Sequence, residues 1–201
     1  MRQVHPIEAQ SYRILNSRAD LSGLAPLTRA VTERVVHASA DLDYLADLRC
    51  DEDALRQGFR ALRDGRPVIA DVAMVAAGIT GRDLIGEPIC RITDPAAARL
   101  AGSAGITRSA AAIRLAFEQV GTGAVWVIGC APTALFELLE LAARPALVIG
   151  LPVGFVGAAE SKAALRESGL PAVSNVSEKG GSAVAAAALN ALLYTDDEEI
   201  S

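Results

Sequence analysis

Aromatic residues are scarce in this chain: Phe, Trp and Tyr together make up 4% of its 201 residues. Single-stranded nucleic acid is held largely by stacking on such side chains, so that platform is missing. A basic excess is missing too. Against 24 Asp and Glu stand only 19 Lys and Arg, giving a net charge of −5 with no dense cationic run, which argues against a nucleic-acid partner. Histidine is confined to His5 and His37, without the H-E-x-x-H spacing, so no metal site is expected. The cysteines, Cys50, Cys90 and Cys130, are far apart, odd in number and lack a C-x-x-C pair; they read as reduced thiols in a cytoplasmic protein. Long apolar runs are also lacking. "AVWVIG" and "ALVIGLPVGFVGAA" are short or broken by Gly and Pro, so they read as buried strands and no membrane span is expected. The opening "MRQVHPIEAQSYRIL" is polar and helical in period, unlike a signal peptide.

What the chain does have is small apolar residues, with Ala, Leu and Val dominating a composition that is 51% hydrophobic. Its length suits one domain spanning 1–201. Residues 1–65 read as mainly helical. Apolar positions at Ile7, Ile14 and Leu15 suggest a helix over 6–18, and Leu27, Val31 and Val35 suggest another over 26–39. "DEDALRQGFRALRDG" has acids at its start and a Gly after its end, as an amphipathic helix should.

From 66 to 195 the pattern alternates. Strands are expected at 67–72, 87–92, 124–130, 146–151 and 171–176, with helices near 107–120, 132–143, 158–168 and 181–194. Uniformly apolar strands separated by helices imply a parallel sheet covered on both faces. The expectation is a flavodoxin-like, three-layer α/β/α fold: a mainly parallel five-stranded sheet preceded by a helical segment. Residues 196–201 read as a frayed, solvated tail.

In such a sheet, ligands bind beyond the carboxyl ends of the strands. Those ends are "DVAMVAAGIT", "GCAPTA", "GLPVGFVGAAESK" and "SEKGGSA". Gly154, Gly157, Gly180, Gly181 and Ser182 lie in the last two. Several of these loops run into helix starts, where free N–H groups favour anions, so a ligand with several carboxylates or phosphates is expected. A nucleotide is not: neither G-x-G-x-x-G nor G-x-x-x-x-G-K-[ST] occurs. For acid–base work His37 is the candidate imidazole, with Arg34 three residues earlier on the same helix face. No G-x-S-x-G supports a serine nucleophile, and Asp41, Asp43 and Asp47 read as a solvated acidic patch.

Read together, "HPIEAQSYRIL", "VVHASAD", "ADVAMVAAGIT", "TRSAAAI", "GCAPTALFELLE", "GLPVGFVGAAESK" and "GGSAVAAAALNAL" resemble the precorrin-8X methylmutase family, from about residue 5 to residue 194. The resemblance implies an isomerase of cobalamin biosynthesis. The family moves a methyl group from C-11 to C-12 of precorrin-8X to give hydrogenobyrinate, or of cobalt-precorrin-8 to give cobyrinate. The shift is formally 1,5-sigmatropic and needs no cofactor or protein metal. By the same resemblance His37 is the catalytic residue, acting on the ring C nitrogen. Ser11, Arg34, Thr80 and Arg108 are polar substrate contacts, and the glycine loops line a broad corrinoid pocket. A homodimer with a partly shared pocket is implied, and product hand-over to the next pathway enzyme is conceivable. Two departures concern fine contacts: Cys130 where the family often has Asn, and "VSEK" before the double glycine where a more basic segment is common. A non-catalytic corrinoid carrier and, more remotely, a nucleotide-binding α/β module are the rival readings.

Overall fold

The computed structural model describes residues 6–81 and 85–196, so the frayed tail expected at 196–201 lies almost wholly outside the described residues, as does His5. The expected N-terminal helices form at their expected places. α1 spans Pro6–Arg18 and α2 Pro26–Ser39, with Pro26 in the first helical turn. A short α3, Tyr44–Asp47, leads into β1, Leu48–Cys50. α4, Glu52–Arg63, is capped by the Asp51 carboxylate on the Ala54 amide and buries Leu55, Phe59 and Leu62. Gly58 lets this helix lie directly on the sheet, because a Cβ there would sit 2.4 Å from Leu147 Cδ2.

The remaining elements alternate. β2 is Val68–Ala70, α5 Ala73–Gly78, α6 Pro95–Ala104 and α7 Arg108–Val120. β3 is Val125–Ile128, α8 Pro132–Glu140 and β4 Leu147–Gly150. α9 is Ala158–Glu167, β5 Ala172–Asn175 and α10 Ser182–Tyr194. The sheet order is β1-β5-β4-β3-β2, with β2 to β5 parallel. It is mixed, because β1 pairs antiparallel with β5, Leu48 opposite Asn175.

One expected strand is reduced to a bridge. At 87–92 only Ile89 joins the sheet, in parallel with Ile69 on the outer edge of β2. Pro88 has no N–H to extend the ladder. Beyond Cys90 the chain turns, Asp94 N–H to the Arg91 carbonyl, and Asp94 then caps α6. The Asp94-Pro95 start and Gly105 stop of α6 were legible cap signals that the expected helices omitted. From β2 the chain thus moves outward to Ile89 and returns to β3, so strand order reverses between β2 and β3.

Strand periodicity divides the core. Val125, Val127, Leu147 and Ile149 point into one cluster, with Leu27, Val31 and other side chains of α2, α4, α5 and α10. Trp126, Ile128 and Val148 point into the other, against α7, α8 and α9. Fully burying each such side chain is worth about 1.5–3 kcal/mol. The alanine-rich α10 is buried over most of its length and packs against α2 and α5. The α1 expectation is corrected in part: only Leu15 is buried, while Ile7 and Ile14 are exposed. This helix docks by the face that carries Ser11, Tyr12 and Leu15 instead.

Candidate active site

Glu8, Ser11 and Tyr12 recur at helical spacing on α1, and Arg34 and His37 share a face of α2. Those two faces meet. The Ser11 hydroxyl lies 2.8 Å from His37 Nδ1, and the Tyr12 ring stacks on the imidazole with centroids 5.0 Å apart and planes 25° apart. Arg34 Nη1 donates to Glu8 Oε1 at 2.6 Å and to the Tyr12 hydroxyl at 3.1 Å. The Arg34 guanidinium also sits 4.8 Å from the centre of the Tyr194 ring, on the last turn of α10. Burial pushes the Tyr12 phenol above its ordinary pKa, which keeps it neutral beside the histidine.

Thr80 joins this cluster from the segment after α5. Its hydroxyl hydrogen-bonds the Tyr194 hydroxyl, and its N–H donates to Asn190 Oδ1 at 3.0 Å. Asn190 in turn donates to the Gly78 carbonyl, so α10 sets the course of the chain at 78–80. The expected residues Ser11, Arg34, His37 and Thr80 therefore form one connected group. Arg108 is not part of it. It is exposed at the start of α7, on the opposite face of the sheet, where Thr107 caps the helix and bonds the Thr133 hydroxyl of α8 at 2.8 Å. "TRSA" and "APTA" are thus neighbours, and Gly157 reaches Pro132 and Phe136 beside them.

The anion-friendly helix starts need correction. Asp71, just beyond β2, is buried where strand order reverses. Its carboxylate accepts the amides of Gly129, Cys130 and Ala131 at 3.1, 2.9 and 3.0 Å. The backbone site that a doubly wound sheet offers to a phosphate is therefore filled by the chain's own carboxylate. Burial pushes the Asp71 pKa up while these amides pull it down. The double glycine has a similar internal role. Gly181 N–H donates to the Leu151 carbonyl, and Gly154 N–H to that of Glu178. Gly180 packs so closely that a Cβ would lie 2.3 Å from the Leu151 oxygen. The amides of Gly154 and Gly181 thus bind the chain itself.

The loop after β4 nevertheless presents apolar surface: Phe155 is 97% and Val156 88% exposed, and Val153 and Phe136 are partly open beside them. A broad flat ring could lie on such surface. By contrast, a cavity of about 710 Å³ opens elsewhere, lined by Thr28, Leu45, Arg49, Asp53 and Arg166, and contains none of the expected site residues.

Asp41, Asp43 and Asp47 are not a merely solvated patch. Lys179 bridges Asp41 and Asp43, and Asp47 binds the segment after β5. Among the described residues no group of His, Cys, Asp and Glu could hold a metal ion, and no helix is long and apolar enough to cross a membrane.

A family model described as precorrin-8X methylmutase matches residues 6–195. The chain belongs to the precorrin-8X methylmutase family. It is 45% identical to the cobalt-precorrin-8 methylmutase of Salmonella typhimurium, covering 96% of both chains. With the precorrin-8X methylmutase of a Sinorhizobium species the identity is 42%, over 96% of this chain and 95% of the relative. The crystal structure of precorrin-8X methylmutase from Thermus thermophilus superposes with a TM-score of 0.84 at 37% identity, over 94% of this chain and 96% of that one. This methylmutase is an isomerase, and the α/β fold with its mixed sheet is that of its family. Glu8, Tyr12 and Tyr194 were missed as structural partners of this group, as was the role of Asp71 in occupying the amides at 129–131. Only Glu8 and Tyr12 had a signal, their spacing with Ser11 on one face of α1.

Proposed function

We propose that this methylmutase moves the C-11 methyl group of precorrin-8X, or of its cobalt form, to C-12, with His37 as the acid that assists the shift. The observation that carries this is the state of the imidazole. Ser11 engages Nδ1, Tyr12 holds one ring face, and among the described residues Nε2 has no hydrogen-bond partner. A histidine oriented on one nitrogen and open on the other is suited to give a proton and take it back. Protonation of the ring C nitrogen would redistribute charge in the conjugated system and ease migration of the methyl group. The group leaves one ring carbon and joins the next within the same molecule, so no oxidant or reductant is consumed, and the proton returns to His37.

Arg34 has a different part from the one its sequence position suggests. Its guanidinium is already paired with the Glu8 carboxylate at 2.6 Å. The pair instead ties α1 to α2 and holds Tyr12 against the imidazole. Ser11 and Thr80 would contact the polar rim of the corrinoid, and Arg108 would take a peripheral carboxylate by a forked hydrogen bond.

The fold itself we read as flavodoxin-like, with Ile89 as the remnant of the second strand and β1 as an added antiparallel edge. A cytoplasmic homodimer acting without a cofactor completes the reading. Single-turnover spectra of the pure protein with precorrin-8X test it: the absorption should change to that of hydrogenobyrinate with no coupling enzyme. A spectrum that stays that of the bound substrate would leave only a corrinoid carrier.

A further inference from the structure

Lys162 is a charged side chain with no exposed surface. From α9 its ammonium reaches under the segment that follows β5 and meets Asn175 Oδ1 at 2.9 Å, the Ser177 carbonyl at 2.5 Å and the Lys179 carbonyl at 2.6 Å. An ammonium has three donors, and each has an acceptor here. Removing a cation from water costs several kcal/mol, so filling space does not explain its presence; a methionine would do that.

The segment it holds has two further attachments. On one side it grips α3 and the turn between α2 and α3. Asp47 accepts the amides of Val176 and Ser177 at 2.9 and 2.8 Å, and Lys179 Nζ bonds Asp41 at 2.7 Å and Asp43 at 2.6 Å. That turn directly follows the last turn of α2, which carries His37. On the other side the Glu178 carbonyl accepts from Gly154, and Gly181 donates to Leu151, so the segment also holds the loop after β4. One short stretch of chain thus joins the histidine helix to the glycine loop.

We propose that Lys162 is a positioning residue of this active site: its buried ammonium locks residues 175–179 and thereby sets the placement of His37 relative to the loop at 151–157. The proposal rests on the reading that His37 and this loop face the same corrinoid. The ammonium never meets the substrate. It acts through the backbone it holds.

Lys162→Met keeps the volume and removes the donors. The test compares its single-turnover rate at saturating precorrin-8X, well below its melting temperature, with amide exchange at 176–182 and at 36–43. Exchange should quicken in both stretches, and conversion should fall about ten- to a hundredfold, the range for a misplaced catalytic group. A merely structural lysine would lower the melting temperature but leave the saturated rate and the 36–43 exchange unchanged, and that result would overturn the proposal. Should Lys162→Met fail to fold, Lys179→Met decides. It cuts the same linkage at a half-exposed side chain, and unchanged exchange at 36–43 together with an unchanged rate would refute it equally. His37→Asn is run in parallel: conversion at the full rate there would overturn the assignment of His37, while the exchange data still judge the linkage.

Discussion

The hydroxyl of Ser11 and Nδ1 of His37 are 2.8 Å apart, across two helices separated by 26 positions in sequence. A hydroxyl can donate to a neutral Nδ1 or accept from a protonated one. The serine can therefore orient the imidazole in both protonation states, and the same nitrogen stays occupied through a proton transfer. In the proposed role of His37 the ring would keep its direction while Nε2 changed its proton.

His37→Asn should bind precorrin-8X with near-normal affinity yet convert it about 10²–10⁴-fold more slowly, the usual worth of general acid catalysis. Ser11→Ala should slow conversion less, because the Tyr12 stack remains. Single-turnover spectra at saturating substrate measure both. A full rate in His37→Asn would mean that the pocket acts by shape alone.

Arg108→Ala should weaken corrinoid binding while leaving stability unchanged, because the side chain is exposed at a helix start. Loss of one charge-assisted hydrogen bond, worth about 1.5–3 kcal/mol, corresponds to about a ten- to hundredfold rise in Kd. Titration of the variant with substrate or product reads this directly. An unaltered Kd would place Arg108 outside the binding surface.

Burial brings the Lys162 pKa down from 10.5 to about 8, against the attraction of Asp47 and Glu178 and with the repulsion of Arg166. Between those values the unfolded chain binds more protons than the folded one, so this group makes stability rise with pH; below about 8 its contribution is flat. Lys179 acts in the opposite sense. Its pKa is raised by Asp41 and Asp43, so its stabilisation is present below its ordinary value and lost as pH rises through the raised one. Comparing wild type with Lys162→Met isolates the first effect. The gap in melting temperature, wild type minus variant, should widen from about pH 8 to about pH 10. A constant gap would contradict the lowered pKa.

Gly180→Ala should be among the most damaging single changes in the glycine loops. The new methyl would lie 2.3 Å from the Leu151 oxygen and 2.5 Å from the Pro152 oxygen, both backbone atoms that cannot swing aside. The cost should be on the order of 1–3 kcal/mol or more, read as a lower urea midpoint. A midpoint equal to wild type would show that the β4 and β5 loops can separate without penalty.

Sedimentation at micromolar concentration should show a single dimeric species, in keeping with the exposed apolar surface at Val153, Phe155 and Val156. A monomer with full turnover would show that one chain holds the complete pocket.

Several features were legible in the sequence because they depend on near neighbours. The period of Leu27, Val31 and Val35 specified α2, and the all-apolar runs around Val125–Ile128 and Leu147–Gly150 specified buried parallel strands. The placement of Arg34 and His37 on one helix face followed from their spacing. The chemistry assigned to them came from the likeness of whole motifs to a known family. Tertiary structure alone decided the rest. β1 has three residues and no pattern of its own; it is a strand only because Asn175 to Val173 lie alongside it. Whether the backbone amides at Gly129–Ala131 face a ligand or the chain depended on Asp71, about 60 positions earlier. The partners of Lys162 likewise come from beyond its own helix, at Asn175, Ser177 and Lys179. Helical and strand periods record which side of an element is apolar. They carry no record of which distant polar group will arrive to satisfy a buried charge or an open amide, and at this site those arrivals determine the geometry.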